Sequence, residues 1–280
     1  MEKLLLESER CYLCKKPKCK SHCPISTSVP EVIQLFKEQK LIEAGKILFE
    51  NNPLSVVCAI VCPHESQCVG NCIRGIKDDP VEFCSIEEYV SNYYLDHVQF
   101  EVPKEEKERV AIIGGGPAGI TIAFILALKG YKVTIFEAHE KIGGVLRYGI
   151  PEYRLSNSLI DKYEKKLKEL GVKIRPNIVI GPVVTLEKLF NDGYEAIFIG
   201  TGVWNPRTLD IKGETLGHVH YAIDYLKAPH VYDLGRKVCV IGAGDVAMDA
   251  ARTAKRNGAD RDSRSSYDQR TCRQDEDCSV

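Results

Sequence analysis

Residues 109–137 read RVAIIGGGPAGITIAFILALKGYKVTIFE, and the order of residue types within them decides the fold class. Val110 to Ile113 make a four-residue apolar run that reads as a buried parallel strand. The glycines that follow open a helix that runs through Leu128 and is closed by Gly130. Val133 to Phe136 make a second strand, ending on Glu137. Gly114 permits the tight turn, Gly116 lets the backbone approach a pyrophosphate, and Gly119 allows close helix–strand packing. Pro117 and Ala118 stand in the same turn and are counted with the cofactor contacts. The helix N-terminus favours negative charge, and Glu137, a little over twenty residues on, is placed for a ribose hydroxyl. A G-x-G-x-x-G run by itself also describes an ordinary glycine-rich turn. Here it lies between two strand-like runs with the acid in place, which is the pattern of a dinucleotide site.

Outward from this unit, the 280 residues are enough for about two domains at roughly 150 residues each. With 38 basic and 39 acidic residues the formal charge is −1, which gives no footprint for nucleic acid. The longest apolar run, Ile120 to Leu128, is well short of the roughly 20 residues a membrane span requires. The opening MEKLLLESER lacks the long apolar stretch and cleavage site of a signal peptide. A soluble, cytoplasmic protein is expected.

Of the twelve cysteines, nine fall between Cys11 and Cys84, Cys239 stands alone, and two lie in the last nine residues. Clustering of this kind without a secretion signal argues for metal ligation over a disulfide framework. One set is Cys11-x2-Cys14-x4-Cys19-x3-Cys23-Pro24; the other is Cys62-Pro63, Cys68 and Cys72. Thiolates on short loops at these spacings can converge on a cubane of iron and sulfide, and ferredoxin-type runs donate their fourth cysteine to the other cluster. Structural zinc is the competing use of C-x2-C pairs, although His22 and His64 are poorly spaced for it. Between the sets, Ser28-x-x-Glu31 spells a capping box ahead of a helix bearing Val32, Ile33 and Phe36. A second helix near Leu41 to Phe49 stops before Asn51-Asn52-Pro53.

The runs CYLCKKPKCKSHCP and NPLSVVCAIVCPHESQCVGNC, followed by GGGPAG, resemble the small subunit of bacterial NADPH-dependent glutamate synthase. The same block occurs in the ferredoxin:NADP transhydrogenase large subunit and in the N-terminal part of dihydropyrimidine dehydrogenase, and the resemblance runs from about Cys11 to Ala259. It implies two [4Fe-4S] clusters bound crosswise, Cys11, Cys14, Cys19 and Cys72 on one and Cys23, Cys62 and Cys68 on the other. Cys58 has a family counterpart that is not a ligand. The eighth ligand in parts of this family is a carboxylate or amide from the segment after the last cysteine, here VEFCSIEEYV, which places Glu87 at that position. Bare chemistry favours the thiolate of Cys84 for the same role.

The resemblance also implies FAD on the first nucleotide unit, with contacts from Gly143, Gly144, Leu146, Arg147 and Tyr148, while a loop turning at Gly149 to Pro151 accounts for the glycines equally well. Leu159 to Leu170 reads as an amphipathic helix, Val172 to Ile174 as a strand, and Ala196 to Ile199 as another buried strand. It ends in Gly200-Thr201-Gly202, which resembles the second flavin-contacting turn of two-dinucleotide-domain flavoproteins, with Thr201 and Gly202 at the cofactor. Lys237 to Ile241 followed by GAGDVAMDAARTAKRNGA repeats strand, turn and helix, with Gly242, Gly244 and Ala247 at the fingerprint positions. In the family this second unit binds NAD(P)H, and Asp245 stands where asparagine is general.

The expected architecture is α/β. A helical cluster domain covers residues 1–100, after which a charged linker, EVPKEEKER, opens an FAD-binding domain over 101–230; the start of a nicotinamide unit follows over 231–259. Residues 260–280 contain no apolar run, read as disordered, and depart from the family, so a truncation or frameshift near residue 260 is expected, with Cys272 and Cys278 incidental. The function implied is an oxidoreductase subunit. It takes hydride from NAD(P)H onto FAD and passes electrons through the clusters to a larger catalytic subunit or a ferredoxin-type partner. No side-chain acid or base is assigned a catalytic role.

Overall fold

The computed structural model describes residues 1–259, and the expectations for residues 260–280 lie outside the described residues. The chain begins with six helices: α1 (Glu2–Glu9), α2 (Lys18–Ser21), α3 (Val29–Lys37), α4 (Leu41–Asn51), α5 (Ser55–Val61) and α6 (Phe83–His97). Helical spacing puts Val29, Val32, Ile33 and Phe36 on the buried face of α3, where they meet Leu48 of α4 and Ile86 and Val90 of α6. Cys11, Cys19 and Cys72 pack against this core from its edge.

One local expectation fails. Ser28 does stand at the N-cap of α3, but its side chain makes no capping hydrogen bond. Its hydroxyl instead accepts from the Lys20 ammonium at 3.0 Å, because α2 brings that lysine alongside. A charged donor satisfies the serine oxygen better than a neutral backbone N–H, so the capping box does not form.

From residue 109 the chain alternates between strand and helix. β1 (Arg109–Ile113), α7 (Pro117–Leu128), β2 (Lys132–Phe136), α8 (Val145–Tyr148), α9 (Asn157–Glu169), β3 (Lys173–Arg175), α10 (Leu186–Asn191) and β4 (Ala196–Ile199) follow in order. The four strands form one parallel sheet in the order β3-β2-β1-β4, with Val110 opposite Val133 on one side and Ala196 on the other. A central parallel strand is covered on both faces and so tolerates apolar residues at every position, as Val110 to Ile113 show. Ser156 caps α9 by accepting from the Ser158 N–H, and the left-handed Gly130 and Gly171 end α7 and α9.

The helical part and the sheet share a core. Phe49 of α4 packs edge-on against Phe124 of α7 at 5.4 Å between ring centroids, and Phe100 touches both rings at 5.0 and 5.9 Å. Tyr94 and Leu95 of α6 and Val56 and Val57 of α5 belong to the same cluster as Ile112, Ile120 and Tyr163. Lys166 of α9 donates to the Val98 carbonyl at 2.8 Å, and Lys162 pairs with Asp96 at 2.6 Å. Each large side chain buried here stabilises the joint by about 1.5–3 kcal/mol.

The last described elements are α11 (Ala222–Lys227) and α12 (Asp245–Arg256), packed together through Tyr225, Ala250 and Ala254. The run Lys237 to Ile241, expected as a strand, joins no named sheet among the described residues, and Ile241 is 69% exposed. A parallel strand holds its shape only when neighbours satisfy its backbone groups, and those of β1 come from β2 and β4.

Candidate functional site

At the C-terminal end of β1 the glycines sit where the motif requires them. Gly114 has φ +101°, and a Cβ there would lie 2.4 Å from the Gly200 carbonyl oxygen. Only glycine lets the turns after β1 and β4 approach so closely. A Cβ on Gly119 would lie 2.0 Å from the Gly114 carbonyl oxygen, so α7 can lie against its strand only without one. Across the turn Gly144, with φ +51°, faces Gly116, and the Gly143 N–H donates to the Gly115 carbonyl at 2.7 Å. Two side-chain-free stretches thus border the N-terminus of α7, a cradle that accepts a pyrophosphate against backbone N–H groups.

Glu137 ends β2 and is 4% exposed. One carboxylate oxygen accepts from the Gly115 N–H at 2.7 Å, and the other from the His139 N–H and ring Nδ1, each at 2.8 Å. The His139 ring stacks on Tyr148 at 4.6 Å and meets Trp204 at 5.8 Å. His139 and Trp204 were not legible in the sequence, since no motif spacing marks them. Leu146 is buried in the core, and Arg147 donates to the Ile142 carbonyl and pairs with Asp161 at 2.6 Å. Both therefore shape the wall behind Gly143 and Gly144. Thr201 is exposed and Gly202 left-handed, directly beyond β4.

The thiols fall into two groups. Cys11, Cys14, Cys19 and Cys72 line one hollow, together with Tyr12, Pro30 and Val81. Three of the four come from the first loop and one from the second, so the fold crosses the sequence order here. Burial, and after it the charges of the neighbouring thiols, raise Cys11 and Cys19, the latter to about 11.

Around the other group, burial is the first cause that pushes Cys68 up to about 12, and the charges of Glu87, Cys62 and Cys23 add to it. Glu87 and Cys23 likewise act on Cys62. Glu87 projects from α6, is 5% exposed, and is pushed by burial up to about 8. Cys84, one turn earlier, is directed to Glu82 at 3.4 Å, and the charges that reach it are those of Glu82.

Polar side chains reach three of these sulfurs: Thr27 Oγ1 lies 3.3 Å from Cys23 Sγ, Asn52 donates to Cys58 at 3.1 Å, and Cys62 donates to Gln67 Oε1 at 3.0 Å. Among the described residues no three His, Cys, Asp or Glu side chains stand close enough to hold a single metal ion. Tetrahedral zinc draws its thiolates to about 3.8 Å from one another. A cubane spreads them over four separate irons, which suits four thiols lining the rim of one hollow. Thiols that burial keeps protonated release protons on binding iron.

At the second glycine-rich turn, Gly242 has φ +134° and Gly244 begins α12. The helix is held to the loop after α8 by Arg154, which pairs with the buried Asp249 at 2.6 Å, and by Arg256 over the Tyr153 ring at 3.8 Å. These anchors had no sequence signal, because 95 residues separate Arg154 from Asp249.

The chain is 34% identical over 272 residues to the glutamate synthase [NADPH] small chain of Azospirillum brasilense, covering 90% of this chain and 56% of that one. It is 33% identical over 255 residues to the NAD-dependent dihydropyrimidine dehydrogenase subunit PreT of Salmonella typhimurium, covering 89% and 61%. It thus spans little more than half the length of these relatives. A 2-naphthoyl-CoA reductase structure superposes with a TM-score of 0.54 at 22% identity, over 82% of this chain and 35% of that one, a likeness of fold. Residues 1–98 match the family described as dihydropyrimidine dehydrogenase domain II, 4Fe-4S cluster. Residues 82–188 and 108–264 match pyridine nucleotide-disulphide oxidoreductase, the second stretch alone exceeding half of the chain. No helix among the described residues is long and apolar enough to cross a membrane. The chain belongs to the pyridine nucleotide-disulphide oxidoreductase family and carries a 4Fe-4S module ahead of that domain.

Proposed function

We propose that the chain is an electron-transfer subunit that takes reducing equivalents from NAD(P)H and delivers them singly to a larger catalytic partner, as the small chain of a glutamate synthase would. The observation that carries this reading is the hollow lined by Cys11, Cys14, Cys19 and Cys72 in a module whose core is continuous with that of the nucleotide fold. When bound, FAD takes the two electrons of a hydride and each [4Fe-4S] cubane carries one, so the pair is divided.

The residues take the following parts. Gly114, Gly116, Pro117, Ala118 and Gly119 receive the FAD pyrophosphate, and Glu137 holds a ribose hydroxyl. Gly143, Gly144, Leu146, Arg147, Thr201 and Gly202 bound the rest of the cofactor. Cys11, Cys14, Cys19 and Cys72 hold one cluster, and Cys23, Cys62, Cys68 and Glu87 the other. Glu87 is preferred to Cys84 because it is buried where its charge acts on Cys62 and Cys68, whereas Cys84 is turned toward Glu82. Gly242, Gly244 and Ala247 belong to the NAD(P)H site.

Anaerobic purification followed by reconstitution tests the proposal. About eight irons and eight sulfides per chain are expected, the content of two cubanes, with stoichiometric FAD. Cys72→Ser should lose about half of the iron and leave the flavin in place. Zinc without iron or flavin in the wild-type chain would overturn the reading.

A further inference from the structure

Thr27 belongs to no motif, yet it is 4% exposed and follows the first thiol loop four residues after Cys23. Its Oγ1 lies 3.3 Å from Cys23 Sγ, and the same oxygen accepts from Asn51 Nδ2 at 3.3 Å. A hydroxyl has one proton and two lone pairs. The Asn51 amide N–H occupies one lone pair, and a Cys23 thiolate ligating iron has no proton of its own, so in the cluster-bound chain the Thr27 O–H is the donor of this contact. Asn51 is the last residue of α4, and Thr27 precedes α3, so the packing of these two helices fixes the direction of the bond.

We infer that Thr27, oriented by Asn51, is a positioning residue that raises the reduction potential of the cluster held by Cys23, a role that rests on the cluster assignment above. A donor aimed at a ligand sulfur is worth more when the cluster carries its extra electron, because the sulfur is then more negative. Removing the donor therefore weakens the reduced form. Gln67 is placed differently, with its Oε1 facing Cys62 as an acceptor and no donor aimed at the sulfur.

The full chain with both clusters is titrated in a mediated potentiometric experiment followed by EPR, using wild type, Thr27→Val, Thr27→Ser and Asn51→Leu. Thr27→Val keeps the volume of the side chain and deletes its proton. One of the two midpoint potentials should fall, equivalent to a roughly three- to tenfold loss in the reduction equilibrium, tenfold being about 59 mV for one electron. The other potential should stay in place. Thr27→Ser should restore the wild-type value, and Asn51→Leu, farther from the iron, should give a smaller fall of the same sign.

Unchanged potentials in Thr27→Val with full iron and sulfide would overturn the inference, and so would a serine variant that behaves like valine. Should Thr27→Val not retain its clusters, Asn51→Leu decides: a lowered potential supports the inference and an unchanged one ends it. Absence of iron and sulfide from the wild-type chain is a different failure, that of the cluster assignment, and would remove the inference with it.

Discussion

Gly114 to Gly119 and Gly242 to Ala247 spell the same turn and open the same kind of helix, but among the described residues only the first follows a strand of a named sheet. Before the first turn, β1 is paired on both sides and its four apolar residues are at most 7% exposed. Before the second, Ile241 is 69% exposed and no described strand pairs with the Lys237 to Ile241 run in a named sheet. The glycines adopt left-handed angles in both places, at Gly114 and at Gly242. The turn is therefore a local property of the residues, while the binding site around it is a property of the sheet. Close approach shows the difference at the first glycine of each turn: a Cβ at Gly114 would lie 2.4 Å from the Gly200 carbonyl oxygen, whereas among the described residues one at Gly242 meets nothing nearer than the Ala247 Cβ at 3.2 Å.

Gly119→Val gives the largest expected effect. The colliding atom is backbone, so neither partner can swing away, and β1 and α7 must separate. A loss of about 4 kcal/mol is expected in denaturant unfolding, with loss of bound FAD. If the variant keeps both its stability and its flavin, the first turn is no better built than the second and the contrast collapses.

α6 enters the core shared with α7 through Tyr94 and Leu95, and two turns earlier on the same helix Glu87 is 5% exposed. In the cluster-free chain this carboxyl is pushed by burial from its ordinary 4.5 up to about 8. The folded state then holds a proton that the unfolded chain releases above pH 4.5. The stability that depends on the neutral form is complete below that pH and is lost as pH rises through about 8. Glu87→Gln should therefore stabilise the cluster-free chain by roughly 3 kcal/mol at pH 7, and hardly at all near pH 4. Urea midpoints for the two chains at both pH values measure this. A difference that is the same at pH 4 and pH 7 would show that Glu87 is solvated and not part of the shared core.

Arg154 tests the opposite side of the comparison, the anchoring of α12. Arg154→Ala leaves Asp249, at 6% side-chain exposure, with its charge unpaired. The cost should be roughly 2 kcal/mol, below the value for a fully buried pair because Arg154 keeps 26% of its side chain in water. Faster amide exchange confined to Asp245–Arg256, with the exchange of β1 unchanged, would show that the second unit is held by this contact and not by a sheet.

The residues differ in how legible they were. The glycine turn after β1 and the grouping of Cys11, Cys14, Cys19 and Cys72 could be read because they follow from short-range spacing, and β1, β2 and α7 followed from apolar runs of the right length. The strand expected at Lys237 joins no named sheet among the described residues, and an apolar run states what a strand would bury but not which neighbour it pairs with. Ser28 failed because Lys20 competes for its oxygen, a contact made only once α2 has formed. The joint through Phe49, Phe100 and Phe124 was hidden behind a charged linker that read as a boundary. Asp249 and Thr27 act with Arg154 and Asn51, partners brought in by folding, whereas Gln67 and His139 have theirs nearby in sequence but belong to no motif that marks them.

The smallest effect on stability gives the finest test of the comparison. Gly116 and Gly244 each stand at the N-cap of their helix in extended conformation, with φ −76° and −87°. Alanine fits both without strain: its Cβ would lie 3.8 Å from Gly144 Cα at the first and meet nothing within 4 Å among the described residues at the second. Each substitution should cost less than about 1 kcal/mol, the ordinary penalty of an alanine cap. Their effects on ligands should nonetheless diverge. At Gly116 the new methyl enters the cradle that Gly144 completes, and FAD affinity should fall about tenfold or more, because the backbone can no longer approach the pyrophosphate. At Gly244 the same methyl should leave FAD affinity unchanged. Equal losses of flavin from the two variants would mean that the cofactor reads the glycine pattern as such, and that the sheet beneath the first turn adds nothing to the site.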